Sequence, residues 1–128
     1  MDSNITRIEV SVGEIVDKLS ILQIKTGMIT DKEKLYNITK EYDYLYDVVF
    51  SHMRIEPSDF FDLVSINKKL WEIEDRIRDK EHNKEFDQEF IDLARSVYIT
   101  NDKRSEAKKQ INFKYGSNFV EEKSYKKY

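Results

Sequence analysis

Between Pro57 and Gly116 the chain runs for 58 residues without a proline or a glycine. Apolar residues recur through that stretch at steps of three and four: Leu63, Ile66, Leu70, Ile73 and Ile77, then Phe90, Leu93 and Val97. Only a helix places such residues on one side, and nothing in the stretch forces the backbone to stop. The same scarcity of breakers holds for the whole chain, which has three glycines and one proline in 128 residues. The fold class is therefore all-α.

Helix starts are legible from capping patterns. Ser11 precedes Glu14 by three, and Thr30 precedes Glu33 by three, the spacing of a capping box. The first predicts a helix over about 12–26. Val12, Ile15, Val16, Leu19 and Leu22 form its inner face, widened by Ile21, Ile24 and Met28, and Gly27 is its stop. The second predicts a helix over about 31–53 with Leu35, Ile38, Tyr42, Leu45, Val49 and Met53 inward. Pro57 fits the first turn of a third helix, about 57–81, because its missing amide is not needed there. After the polar turn "DKEHNKE" a fourth begins near Asp87, with Phe86, Phe90, Leu93 and Val97 on its core face. It runs to about Tyr115, with "TND" as the candidate break and Gly116 as its end.

The expected architecture is one domain over residues 1–128, a bundle of about four helices. An extended lead-in, "ITRIEV", precedes it, and a tail, "SNFVEEKSYKKY", folds back on it. The main alternative is an open helical hairpin completed by a partner chain. The broad apolar faces of the first two helices, with heptad-like steps in the second and third, predict a homo-oligomer.

Composition excludes several classes. Without cysteine there is neither a disulfide nor a thiolate metal site. No apolar run approaches the ~20 residues of a membrane span, and the N-terminus lacks a signal-peptide profile, so a soluble cytoplasmic protein without a membrane partner is expected. Net charge is −3, with residues 103–128 at +5 and the remainder at −8. That balance is too weakly basic for a nucleic-acid partner, but it lets the C-terminal segment dock on the acidic body. His52 and His82 lack the spacing of a helical zinc pair.

Beside the apolar row of the third helix runs a polar one: Asn67, Trp71, Glu74, Arg78 and Glu81. Similar rows hold Glu14, Lys18 and Lys25 on the first helix, and Tyr98, Asn101, Ser105, Lys108 and Asn112 on the fourth. The bland reading is a set of solvated pairs, such as Glu14 with Lys18 and Glu74 with Arg78, each contributing a few tenths of a kcal/mol. The sharper reading is convergence into a site. Its candidate ligand-binding residues are Lys18, Lys25, Asn67, Trp71, Glu74, Arg78, Arg95, Tyr98, Asn101, Asp102, Arg104 and Lys108. Trp71 and Tyr98 would be aromatic walls, and the basic residues would hold an anion, since the guanidinium fork suits phosphate and carboxylate. Arg78 and Arg95 are each expected to find a carboxylate among Glu74, Asp75, Asp17 and Asp102, because an unpaired buried charge is costly.

A third reading takes the two Glu-x-x-Asp pairs, Glu14 with Asp17 and Glu72 with Asp75, as oxygen ligands for Mg²⁺ in an all-α nucleotide pyrophosphohydrolase. That spacing arises often by chance in a chain with 25 acidic residues. No metal ligand, cofactor or catalytic residue is assigned.

"VSVGEIVDKLSILQIK", "INKKLWEIEDRIRDKE", "FIDLARSVYITNDKRSEAKKQIN" and "VEEKSYKKY" together resemble a small family of bacterial and viral helical proteins known as a domain of unknown function. The resemblance covers the chain apart from the second helix and the turn after it. The motif positions map onto Glu14, Asp17, Lys18, Lys25, Asn67, Trp71, Glu74, Asp75, Arg78, Arg95, Tyr98, Asn101, Asp102, Arg104, Lys108, Asn112, Glu121, Lys123 and Tyr125. It implies no assigned activity. A setting beside surface-polysaccharide glycosyltransferases would fit an accessory role or a phosphorylated sugar or nucleotide-sugar as ligand. A signature so rich in charged and amide residues favours a convergent network, structural or ligand-binding, over a solvated face.

Overall fold

Three of the four helices begin where a side chain accepts an otherwise unbonded amide, and the other begins at a proline, which has no amide hydrogen to satisfy. The computed structural model describes residues 4–124 and 126–128. Ser11 Oγ accepts the Glu14 amide at 3.2 Å and opens α1, Val12–Met28. Asp31, rather than Thr30, caps α2, Lys32–Asp47, by accepting the Lys34 amide at 2.9 Å. Pro57 stands at the start of α3, Pro57–His82. Asp87 accepts the Phe90 amide at 3.0 Å and opens α4, Gln88–Lys114. The described residues include no strand.

Three expected boundaries move. Gly27 lies inside α1, which ends one residue later. The second helix gives way at Val48–His52 to a π-helical segment, closed by the Met53 amide on the Val48 carbonyl at 2.8 Å. The chain then passes through Arg54 in the left-handed region, φ 54°, and the Ile55 amide returns to the Val49 carbonyl at 3.0 Å. That bend brings Val49 and Ile55 into the core together. α4 runs through "TND" unbroken, since Asn101 and Asp102 point sideways and leave the backbone ladder intact. Its end matches expectation: Gly116 has φ 66°, and the Ser117 amide reaches the Asn112 carbonyl at 2.8 Å, closing a glycine-dependent C-terminal cap.

α3 and α4 form an antiparallel pair tied at both ends. Arg76 meets Glu89 at 2.6 Å near the turn, and Lys114 meets Asp59 at 2.8 Å at the far end. α1 packs against both. Its start touches the late part of α4, Asp17 touches α3 and α4 at once, and its last turns share a hollow with Val64 and Lys68 of α3. The core gathers Val16 and Leu19 of α1, Val49, Ile55, Phe60 and Leu63, and Ile111 of α4.

α2 packs on α1 and on the π-helical segment, without reaching α3 or α4. Leu35, Ile38, Tyr42 and Leu45 are its only residues that are not exposed, the same row that the spacing selects, and none is fully buried. The bundle is thus three helices with α2 laid on the outside of α1. Phe86, expected on the core face of the fourth helix, precedes its cap and is 57% exposed. Residues 5–10, which precede α1, have no regular secondary structure. The tail returns along α4, with Ser117 Oγ accepting the Val12 amide at 3.0 Å and Tyr128 resting on Tyr98 with ring centroids 5.0 Å apart. No helix among the described residues is long and apolar enough to cross a membrane.

Candidate functional site

The three packed helices bury polar groups where they meet, so their side chains must satisfy one another. Asp17 is 1% exposed. Its carboxylate accepts a two-pronged bond from Arg104 of α4, Nε to Oδ1 at 3.0 Å and a terminal nitrogen to Oδ2 at 2.5 Å. Asn67 of α3 donates to the same Oδ1 at 2.8 Å and to Ser20 Oγ at 2.7 Å. The Ser20 hydroxyl donates in turn to the Asp17 carbonyl at 2.6 Å. The hydrogen bond to Asp17 holds the Arg104 guanidinium above its ordinary pKa.

One turn along α4, Lys108 Nζ donates to Glu14 at 2.8 Å and to Glu121 of the tail at 3.0 Å. Burial alone would lower the Lys108 pKa, but hydrogen bonds to Glu14 and Glu121 outweigh it and raise it. Glu121 also meets Lys123 at 2.7 Å. Hydrogen bonds from Lys123 and then Lys108 bring its pKa down to about 2. Asn112 Oδ1 accepts the Gly13 amide at 2.6 Å. α1 and α4 touch so closely there that a Cβ on Gly13 would lie 2.6 Å from the Lys108 carbonyl oxygen. Among the described residues no buried side-chain nitrogen or oxygen lacks a partner.

The candidate residues divide into three groups. Asn67, Arg104 and Lys108 enter this buried network. Tyr98, Asn101 and Asp102 line a separate cleft described below, and Asn101 also accepts a long bond, 3.4 Å, from Arg104. The rest lie outside both. Lys18 pairs with Glu41 of α2 at 3.0 Å, Lys25 and Trp71 are half-buried, and Glu74 and Arg78 are exposed.

Arg78 has no ion-pair partner among the described residues, and Arg95 bonds the Tyr98 hydroxyl rather than a carboxylate. The expectation of a carboxylate for each fails because both guanidinia reach water, where burial imposes no such demand. Arg104 takes Asp17 instead. The carboxylates Glu14, Asp17, Glu72 and Asp75 do not share a cleft: Asp17 is held by Arg104, and Glu72 and Asp75 are exposed. No group of three or more potential ligands among the described residues is placed to hold a metal ion.

Several participants escaped the candidate list. Asp17, Glu14, Asn112 and Glu121 were recognised as motif positions but not as members of the site. Ser20 could have been found from its place three residues after Asp17 on a face otherwise apolar. Gly13 and Ser117 carry no such signal, because a close approach between helices is a tertiary fact. Tyr125, a further motif position, lies outside the described residues.

The cleft lies between α4 and the tail, with a volume of about 520 Å³. Val97, Tyr98, Asn101 and Asp102 form its α4 wall, and Lys126, Lys127 and Tyr128 form the other. Tyr98 and Tyr128 are tilted against each other in the cleft, and burial, followed by the neighbouring Asp102 carboxylate, raises the Tyr128 pKa. Lys126 and Lys127 are exposed and have no ion pair among the described residues. Arg95, one turn before Tyr98 on α4, adds a third cation beside the cleft.

A family of unknown function, DUF6165, matches residues 6–128. The chain belongs to that family. The DUF6165 match spans α1 to α4 and both walls of the cleft. Neither the curated proteins nor the solved structures include a match to this chain.

Proposed function

We infer that the protein is a small binding or accessory protein that takes an anionic ligand, a phosphorylated sugar or nucleotide-sugar, in the cleft between α4 and the tail. The observation that carries this reading is the pairing of two uncompensated lysines, Lys126 and Lys127, with the aromatic walls Tyr98 and Tyr128. Each component suits one part of such a ligand. The lysines and Arg95 are phosphate donors, and the tyrosine rings offer flat apolar surface for a sugar or base. Asp102 and Asn101 accept hydroxyl protons at the α4 wall. The Asp17–Arg104 network has a different role: its charges are matched internally, which supports a structural role that fixes helix register.

The test is a thermal-shift panel of phosphosugars and nucleotide-sugars on the native chain, on Arg95→Ala and on the double variant Lys126→Ala with Lys127→Ala. A stabilising ligand whose effect is lost in the double variant supports the reading. A ligand whose effect survives all three substitutions places the site elsewhere, and no stabilising ligand at all defeats it.

A second reading, a structural or adaptor oligomer in the cytoplasm, is favoured by α2, a whole helix with no fully buried residue. Such a helix is marginal alone and gains from a partner surface. Sedimentation at micromolar concentration distinguishes it: a 15.4 kDa monomer would defeat self-association.

A further inference from the structure

A second groove, with a volume of about 570 Å³, lies between α2, the π-helical segment and the start of α3. Its lining is mainly aromatic: Tyr42 and Tyr46 of α2, Phe50 of the π-helical segment, and Phe60 and Phe61 of α3. These rings form a continuous row. Consecutive centroids are 5.8 Å apart for Tyr42 and Tyr46, 4.8 Å for Tyr46 and Phe50, 5.3 Å for Phe50 and Phe60, and 5.2 Å for Phe60 and Phe61. Two members protrude, with Tyr46 48% and Phe61 57% exposed. A row of that length exceeds what one small ring or ammonium group covers.

The charge around the groove is net negative. Residues 41–61, which supply all of its lining except Gln23, hold Glu41, Asp43, Asp47, Glu56 and Asp59 against Arg54. Lys18 pairs with Glu41 and Lys114 with Glu56 and Asp59, which leaves Asp43 and Asp47, next to Tyr42 and Tyr46 in the chain, without a lysine or arginine among the described residues. Asp43 lies close enough to help raise the Tyr42 pKa, behind burial and Tyr46, and it has no cation partner among the described residues. Asp47 is tied only to His52, at 3.1 Å, and remains open to solvent. Aromatic faces with carboxylates beside them attract cations, because the ring quadrupole and the carboxylate act in the same direction. The surface therefore selects a partner that carries both positive charge and apolar bulk.

We propose that this groove is a docking site for a basic peptide segment of another protein, with lysine or arginine side chains over the rings and an aliphatic or aromatic anchor between Tyr46 and Phe61. The argument for a peptide over a free organic cation is the length of the row. Two copies joined groove to groove would set Asp43 and Asp47 of each against like charge, which disfavours that arrangement, and a copy offering its basic C-terminal segment instead would show as self-association in the test below.

The experiment selects a displayed library of random heptapeptides on the whole chain, with Tyr46→Ala as the counter-selection. Tyr46 is half exposed, so this variant should keep the native circular dichroism and melting curve, which is checked first. Selected peptides are expected to combine basic with aromatic or aliphatic residues. Measured by fluorescence anisotropy, their affinity should fall about fivefold or more in Tyr46→Ala, and also in Asp43→Asn, where a charge is lost without bulk. Three results would overturn the proposal: no Tyr46-dependent enrichment, enrichment of acidic or purely apolar peptides, or self-association through Tyr46 that peptides cannot displace.

Discussion

Removing either partner of the Asp17–Arg104 pair should destabilise the protein, and the two losses should be unequal. Breaking a buried ion pair from one side costs about 3–5 kcal/mol, because the surviving charge is left without its partner. What survives differs between the two variants. Arg104→Ala leaves a carboxylate whose side chain is 2% exposed, with Asn67 as the remaining donor from another helix. Asp17→Ala leaves a guanidinium that is 27% exposed and can turn towards water. Arg104→Ala should therefore fall near the upper end, about 4 kcal/mol, and Asp17→Ala near the lower, about 3 kcal/mol. For a chain of this size each kcal/mol lowers Tm by about 4 °C. The double variant removes both charges, so its cost should be about 2 kcal/mol less than the sum of the two. Urea denaturation at neutral pH measures all three. Single losses below about 1 kcal/mol, or additive ones, would refute the claim that this pair is a buried, coupled element of the core.

Gly13→Ala should cost about 2 kcal/mol, since its Cβ must push against the Lys108 backbone, whereas Gly27→Ala, with nothing within 4 Å, should stabilise α1 by about 0.5–1 kcal/mol. Thermal melts of the pair check both signs. Asp31→Ala should lower stability by about 1 kcal/mol and Thr30→Ala by a few tenths at most, because Asp31 is the residue that accepts the Lys34 amide. The Glu121 pKa is about 2 in the folded chain against an ordinary 4.5, so its hold on the tail is complete above pH 4.5 and is lost as pH falls towards 2. Amide exchange at Val12, whose N–H is covered by Ser117, should accelerate over that window, and a flat profile after correction for intrinsic rates would contradict it.

Helix positions and inner faces were readable from the sequence because local geometry decides them. The row from Leu35 to Leu45 marked the inner face of α2 correctly, and Leu63, Leu70 and Ile73 marked that of α3. What the spacing could not supply was which helix stands opposite. The row Asn67, Trp71, Glu74 and Arg78 stays on one side of α3, yet burial fades along it from 6% exposed at Asn67, through half-buried Trp71, to exposed Glu74 and Arg78. α1 crosses α3 rather than running along it: Asp17 meets Asn67, and the last turns of α1 lie against Val64 and Lys68, so α1 covers the start of the row and not Glu74 or Arg78. Arg78 was expected inside on the pattern of its own helix, but where a neighbouring helix crosses decides its exposure. The same limit hid the cleft. Its second wall, Lys126 to Tyr128, belongs to a tail without periodicity, and only the fold brings it beside Tyr98.

The most direct test is an amide chemical-shift titration of the native chain with glucose 1-phosphate and, separately, with a uridine diphosphate sugar. Saturable shifts at Tyr98, Asn101, Asp102 and Lys126 to Tyr128, with Asp17, Ser20 and Asn67 unmoved, are the predicted result. Shifts centred on Asp17 and Asn67, or none at any concentration, would contradict the division of the molecule into a structural ionic core and a ligand-binding cleft.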